Sequence, residues 1–170
     1  NKKVLIIDSD PQGNASTGLG IDYQKRSNSI YEVLASQSNL FDAIQSTEIE
    51  NLKIIPSTVD LSGIEPELAE VNDRAFTLKK ILADQNSLND YSFVFIDCPP
   101  ALSLLTVMAM TAADSIIVPL QCEFFALEGL SQLIKTIDRV KQNLNQNLTI
   151  DGIVLTMFDA RNKLSSQVAD

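Results

Sequence analysis

The sequence predicts an α/β protein, a doubly wound and mostly parallel sheet with helices on both faces. Two observations carry this expectation. Five apolar runs rich in β-branched residues recur along the 170 residues, and helical patterns fill the gaps between them. The runs are continuous where a half-exposed strand would alternate, which is how strands buried on both faces of a parallel sheet read. Crossovers in such a sheet are right-handed, and its ligands bind beyond the carboxyl ends of the strands.

The elements follow in order. "VLIID" (4–8) is the first strand, and "SDPQG" (9–13) supplies the turn residues that end it. Two short helices are expected within 29–46, then a strand at "LKIIP" (52–56) and one or two helices within 61–86. "FVFID" (93–97) is the next strand, and Pro99 and Pro100 prevent its continuation. "SIIVPL" (115–120) and "IVLTM" (153–157) complete the set. Between them Leu127, Leu130, Leu133, Ile134, Ile137, Val140 and Leu144 form an i, i+3, i+4 stripe with Lys135, Arg139 and Lys141 off it. Such a stripe is the face of a helix that packs on a sheet. Asp8 with Asp10, Asp97, and Thr156 with Met157 all end strands, so they are expected to rim one crevice.

At 45% hydrophobic and 21% charged residues, with no internal repeat, residues 1–170 read as a single domain with a real core. Cys98 and Cys122 lie in apolar runs and the chain has no His, so both read as reduced, buried small hydrophobes and a zinc site is excluded. The apolar runs fall far short of the roughly 20 residues that span a bilayer, so no membrane segment is expected. A net charge of −9 argues against strong nucleic-acid binding by these residues alone, although a local basic patch remains open. The chain does not begin with Met, and its last residues "SSQVAD" stop inside a helical pattern; both ends read as cut.

Three carboxylates carry the candidate chemistry. Gly13 and Gly18 have the G-x-x-x-x-G spacing of a phosphate-binding P-loop, but Leu19 and Gly20 stand where that loop needs Lys and then Ser or Thr. The stretch is therefore no phosphate cradle. Asp97 ends its strand in the manner of a Walker B acid, which holds Mg²⁺ beside substrate phosphates. The alternative is an Asp that merely ends a strand before a turn. With Asp8 and Asp10 on another strand, a cation site is the better reading, because three converging carboxylates would otherwise repel. Without His, a general base or water-positioning group must come from elsewhere, and Asp10 is the natural candidate. Its alternative is an Asx-turn former before Pro and Gly.

The segments "KKVLIIDSDPQGNASTGLGI", "FVFIDCPPALSLLTVMAMTAADSIIVPLQCEFFALEGLSQL" and "GIVLTMFDARNKLSSQV" resemble the ParA/Soj-type chromosome and plasmid partition ATPases, a deviant Walker A group of P-loop NTPases. The resemblance is strong over 2–22 and 91–168 and looser over 23–90. It implies a partition ATPase that uses ATP and Mg²⁺, closes as a nucleotide-sandwich homodimer, binds DNA nonspecifically, and is stimulated by a centromere-binding ParB-type partner in the cytoplasm on the nucleoid. In that family a K-G-G-x-G-K-T loop precedes the D-x-D-P-Q-G-N segment by about one helix. No such loop occurs here, so the resemblance makes 1–170 a partial ATPase domain that is inactive by itself. Asp10 matches the position that orients the attacking water, Asp8 the acidic neighbour near Mg²⁺, and Asp97 the Walker B acid that contacts Mg²⁺ through water. Glu123 in "CEFFALEG" matches an acid near the partner subunit's nucleotide. Arg161 in "DARNKLSSQV" matches a basic position for nonspecific DNA; its alternative is a solvated surface arginine.

Other readings are weighed against this one. A MinD-like membrane ATPase is the second reading of the same fold class; the P-Q-G-N and "EFFALEG" segments favour the partition branch, and the basic amphipathic tail that would decide between them would lie beyond Asp170. An iron-protein reductase would place its cysteines at offsets other than Cys98. A phosphoacceptor receiver domain would want a Lys at a later strand end, and none is there. A noncatalytic scaffold of the same fold stays open.

Overall fold

The computed structural model describes residues 2–83, 86–123, 126–159 and 161. They form two compact units, Asn1–Ala112 and Ala113–Asp170.

In the first unit the chain runs β1 (Val4–Asp8), α1 (Asn14–Gly18), α2 (Ile30–Leu34), β2 (Gln45–Ser46), β3 (Leu52–Ile55), α3 (Ile64–Glu67), α4 (Thr77–Ala83), β4 (Phe93–Asp97) and α5 (Leu104–Ala112). The sheet order is β2-β3-β1-β4. β1 is parallel to β3 and to β4, and β2 is antiparallel to β3. The fold is thus a mostly parallel sheet with helices packed around it, in the class that the sequence predicts. β2 escapes the sequence because two polar residues make no apolar run.

Burial follows from strand position. β1 lies between two neighbours, and Leu5, Ile7 and Asp8 at its end are fully buried. Leu5, Ile7 and Ile55 from the sheet meet Ile30 and Leu34 of α2, Leu61, Ile64 of α3, Leu78 of α4 and Met108 of α5 in one core. Each such side chain contributes about 1.5–3 kcal/mol relative to an exposed one. α2 is short but well started. The Ser29 hydroxyl accepts from the Tyr31 N–H at 3.2 Å, and the Glu32 carboxylate accepts from the Ser29 N–H at 2.7 Å. This reciprocal cap satisfies donors that a five-residue helix would otherwise leave open. Among the described residues of 29–46, a 3₁₀ turn at Leu40–Ala43 takes the place of the second expected helix.

The second unit contains β5 (Ser115–Gln121), α6 (Ala126–Asn143) and β6 (Thr149–Thr156). β5 and β6 pair in parallel with a bulge at Ile116/Ile117, where Asp151 is the extra residue between partners Ile150 and Gly152. α6 lies where the apolar stripe places it, and Ile137 and Val140 of that stripe are buried. Leu127 and Ile134 are exposed, so the stripe is only partly covered. The helical pattern ending in "SSQVAD" lies outside the described residues. Among the described residues no helix is long and apolar enough to cross a membrane.

One apolar strand departs from the sequence expectation. β4 reads as buried on both faces, yet Phe93 and Phe95 are 53% and 47% exposed, their rings stacked 6.1 Å apart. The reason is pairing: among the described residues β4 bonds only to β1. An apolar strand with one open edge is a template for another chain. This chain is therefore expected to self-associate with rising concentration, read by light scattering after size exclusion. The pair Phe93→Thr and Phe95→Thr should return it to monomer at a stability cost of about 1 kcal/mol for the lost ring pair. Association unchanged by the pair would place the sticky surface elsewhere.

Candidate functional site

The carboxyl ends of β1, β3 and β4 carry the polar residues of the first unit. β1 and β4 are in register with Asp8 opposite Asp97, and the Ser9 N–H donates to the Asp97 carbonyl at 2.7 Å. Parallel pairing therefore brings together the acids that the sequence places 89 residues apart.

Asp8 is fully buried and fully employed. Its Oδ2 accepts from the Ser16 N–H at 2.8 Å and from the Ser16 hydroxyl at 2.6 Å, and its Oδ1 accepts from the Asp10 N–H at 3.3 Å. The Ser16 Oγ in turn accepts from the Ser57 N–H at 3.0 Å. Gly13, which precedes α1, has no side chain to cap it, so the carboxylate of Asp8 caps the helix from β1.

Asp10 sits in the turn after β1. Its Oδ1 accepts from the Gln12 N–H at 3.0 Å and its carbonyl from the Gly13 N–H at 2.9 Å. The Asx-turn alternative is thus realised locally. That turn fixes the carboxyl while leaving Oδ2 without a hydrogen-bond donor among the described residues.

Asp97 stands exposed at the end of β4. Partial desolvation raises its pKa above the ordinary carboxylate value, the charges of Asp8 and Asp10 raise it further, and the Cys98 backbone N–H opposes them. Burial first, then the charges of Asp97 and Asp10, push the Cys98 thiol up to about 12, which keeps it protonated and unreactive. Both cysteines are free thiols; Cys122 is buried as the sequence suggests, whereas Cys98 is only half-buried. Among the described residues no group of three or more Cys, Asp or Glu is arranged to hold a metal ion.

The remaining candidates lie in the second unit. Glu123 is exposed in the turn after β5; its N–H donates to the Gln121 carbonyl and its own carbonyl accepts from the Ala126 N–H. Arg161 is 91% exposed and forked onto Asp159, with Nε donating to Oδ1 at 3.0 Å and Nη2 to Oδ2 at 2.8 Å. That pair lowers the Asp159 pKa and raises that of Arg161. Thr156 ends β6 and Met157 follows it with a φ of 54°.

Three residues of the site were not legible in the sequence. Ser16 and Ser57 lie 41 positions apart and look like ordinary turn and helix serines. Arg26, in "YQKRS", reads as a solvated charge and is buried. Its only advance signal is Gly13, which the D-P-Q-G turn requires.

A family model described as an AAA domain matches residues 1–150. The chromosome partitioning protein ParA of Caulobacter vibrioides is 53% identical over 168 residues, 99% of this chain and 63% of that protein. The sporulation initiation inhibitor protein Soj of Bacillus subtilis is 46% identical over 169 residues, 99% of this chain and 66% of that protein. A solved structure of cobyrinic acid a,c-diamide synthase from Mycobacterium smegmatis with bound ADP and magnesium superposes with a TM-score of 0.91 at 38% identity, covering 99% of this chain and 67% of that one. The chain thus spans less than two thirds of the length of the curated relatives it matches, 63% for the Caulobacter protein.

Two outcomes test the site's electrostatics. Ser16→Ala removes a donor from a buried carboxylate and the acceptor of the Ser57 N–H, and is expected to cost about 3 kcal/mol in urea unfolding. A loss below roughly 1 kcal/mol would mean that water replaces the hydroxyl. Asp97 has the opposite sign. With a folded pKa above the usual 3.8, its stabilising contribution is present below that value and is lost as pH rises through the raised one. In chelator, Asp97→Asn should therefore melt higher than the parent at pH 7, and the gap should close in acid below pH 3.8. A variant that melts lower at neutral pH contradicts this account.

Proposed function

The chain belongs to the AAA domain family, among the ParA/Soj chromosome-partitioning proteins, and from that premise we propose that it forms most of the ATPase domain of a DNA-segregation ATPase. The observation that carries the reading is the β1–β4 register, which sets Asp97 beside Asp8 and the Asp10 turn at one end of a parallel sheet. Ligands of such sheets bind at that end.

The donor set suits Mg²⁺. Asp97 feels two negative neighbours, and no Lys or Arg pairs with any of the three acids among the described residues. Mg²⁺ takes one or two carboxylates and completes its shell with water and phosphate oxygens, so a cage of three protein ligands is not required. When bound, the ion neutralises charge between the phosphates and the acids. Asp97 would hold it through water, with Asp8 as the acid behind. Asp10, fixed by its own Asx turn, would orient the attacking water through Oδ2. ATP and Mg²⁺ are the proposed cofactors, consistent with the ADP and magnesium in the Mycobacterium smegmatis structure.

The backbone cradle for the phosphates must come from a G-K-T loop. Residues 1–170 contain none, and as a partial domain they are proposed to be inactive alone. The complete protein is proposed to close as a homodimer around ATP, with Glu123 near the partner's nucleotide, to bind DNA without sequence preference, and to answer to a ParB-type protein. It would work in the cytoplasm on the nucleoid. At Arg161 a DNA phosphate would have to displace Asp159, which makes that contact sensitive to salt.

The name of the Mycobacterium smegmatis structure favours a second reading, an ATP-dependent amide synthase. One experiment separates the two. In a chain extended to the relatives' full length, Mg²⁺-dependent ATP hydrolysis is expected to respond to nonspecific duplex DNA. Asp10→Ala should lower turnover by about 10²–10⁴ while sparing nucleotide binding. Turnover that ignores DNA and requires an amide donor would support the synthase. Normal hydrolysis by Asp10→Ala would remove Asp10 from the role.

A further inference from the structure

Arg26 is buried, and no carboxylate pairs with it among the described residues. All five of its N–H groups are nevertheless used. Nε donates to the Ile21 carbonyl at 3.1 Å, and Nη2 donates to the same carbonyl at 2.7 Å and to the Thr17 hydroxyl at 2.9 Å. Nη1 donates to the Gly13 carbonyl at 3.4 Å and the Ser57 carbonyl at 3.2 Å. The Tyr23 ring lies over the guanidinium at 5.9 Å.

The acceptors are informative. Gly13 closes the turn that leaves β1, and Ser57 begins the loop that leaves β3. These are neighbouring strands at the end where the candidate site lies. The Gly13 unit that gives its carbonyl to Arg26 also donates its N–H to the Asp10 carbonyl, and the adjacent Gln12 N–H holds the Asp10 carboxyl. One short path of hydrogen bonds therefore runs from the guanidinium to the Asp10 side chain. The approach leaves no slack: a Cβ on Gly13 would lie 2.5 Å from Arg26 Nη1 and 3.1 Å from the Ser57 carbonyl oxygen. A guanidinium planted on three backbone carbonyls fixes loop geometry in a way that a mobile ammonium cannot.

We propose that Arg26 is a positioning residue for hydrolysis: it clamps the turn after β1 to the loop after β3 and so sets where the Asp10 carboxylate points. The inference rests on the ATPase reading of the site. In this role Arg26 acts through the turn, by way of the Gly13 carbonyl that it holds. Removing it leaves Asp10 in place chemically but free to wander, and a misplacement of about 1 Å can cost on the order of a hundredfold in rate.

The test has two arms. In the 170-residue chain, hydrogen exchange in Arg26→Lys should quicken at the Gln12 and Gly13 amides and stay unchanged at Leu5, Ile6 and Ile7 of β1. In the chain extended to full length, Arg26→Lys should lower kcat by about tenfold to a hundredfold while affinity for a nonhydrolysable ATP analogue holds within about threefold. Because the buried substitution can unfold the protein, Thr17→Val serves as a second variant. It removes one acceptor and keeps Arg26, and should lower kcat in the same way, whereas Thr17→Ser retains the hydroxyl and should restore it. Uniformly faster exchange, or loss of kcat and analogue affinity together, would make Arg26 a general staple and overturn the proposal. So would unchanged kcat in both Arg26→Lys and Thr17→Val. A full-length parent without ATPase activity would instead overturn the functional reading, and the exchange arm would still decide whether Arg26 holds the turn.

Discussion

The buried carboxylate of Asp8 is the constraint on which the rest of the site depends. An ionised group taken out of water costs several kcal/mol unless hydrogen bonds replace its hydration. Here three donors do so, and further bonds tie them to separate pieces of structure. The Asp10 N–H belongs to the turn, the Ser16 N–H and hydroxyl belong to α1, and the Ser57 N–H joins through Ser16. The turn, the helix and the loop after β3 can satisfy the charge only in one arrangement. A five-residue helix would not persist alone. It exists because β1 ends in an acid that caps it.

The same device recurs at α5. Ser103 precedes that helix and would be its natural cap, but its buried hydroxyl finds no partner among the described residues. The Leu104 N–H donates instead to the Glu65 carboxylate of α3 at 2.9 Å. Capping from another element trades local independence for connection. Both helices that begin near the site are set by residues elsewhere in the fold, so the loops 9–13 and 98–103 are held at both ends. Rigid flanks of this kind suit a site whose chemistry is chiefly positioning and charge.

The strands were legible because a continuous β-branched run bounded by turn residues matches few elements besides a buried strand, and α6 because its stripe is long. What escaped was non-local or small. β2 has two residues; α1, α2 and α3 have five or fewer, too short for a 3.6-residue period to declare itself. The acids at strand ends could be found, since parallel topology alone sends them to one side. Their partners could not. Nothing in the sequence near Ser16, Ser57 or Arg26 indicates that a carboxylate or a carbonyl comes to meet it, because those meetings are made by register between β1, β3 and β4. The exposure of Phe93 and Phe95 has the same origin: composition states how much a strand would gain by burial and is silent on whether a neighbour supplies it.

The glycine at position 13 in the first turn is accounted for by Arg26 and not by phosphate. Gly13 takes a φ of +61°, and a Cβ there would also collide with the guanidinium, so backbone conformation and packing each exclude a side chain. Gly18 has open space around it, and so carries no comparable demand. A P-loop needs both of its glycines so that backbone can close around an anion. Here one glycine lets a carbonyl approach a cation belonging to the protein itself. The two uses exploit the same missing Cβ with opposite polarity: amides turned toward a ligand in one case, a carbonyl turned toward an internal guanidinium in the other. The turn that carries Asp10 is thus part of the scaffold of the site, and its rigidity is what would allow a carboxylate without a paired cation to be aimed.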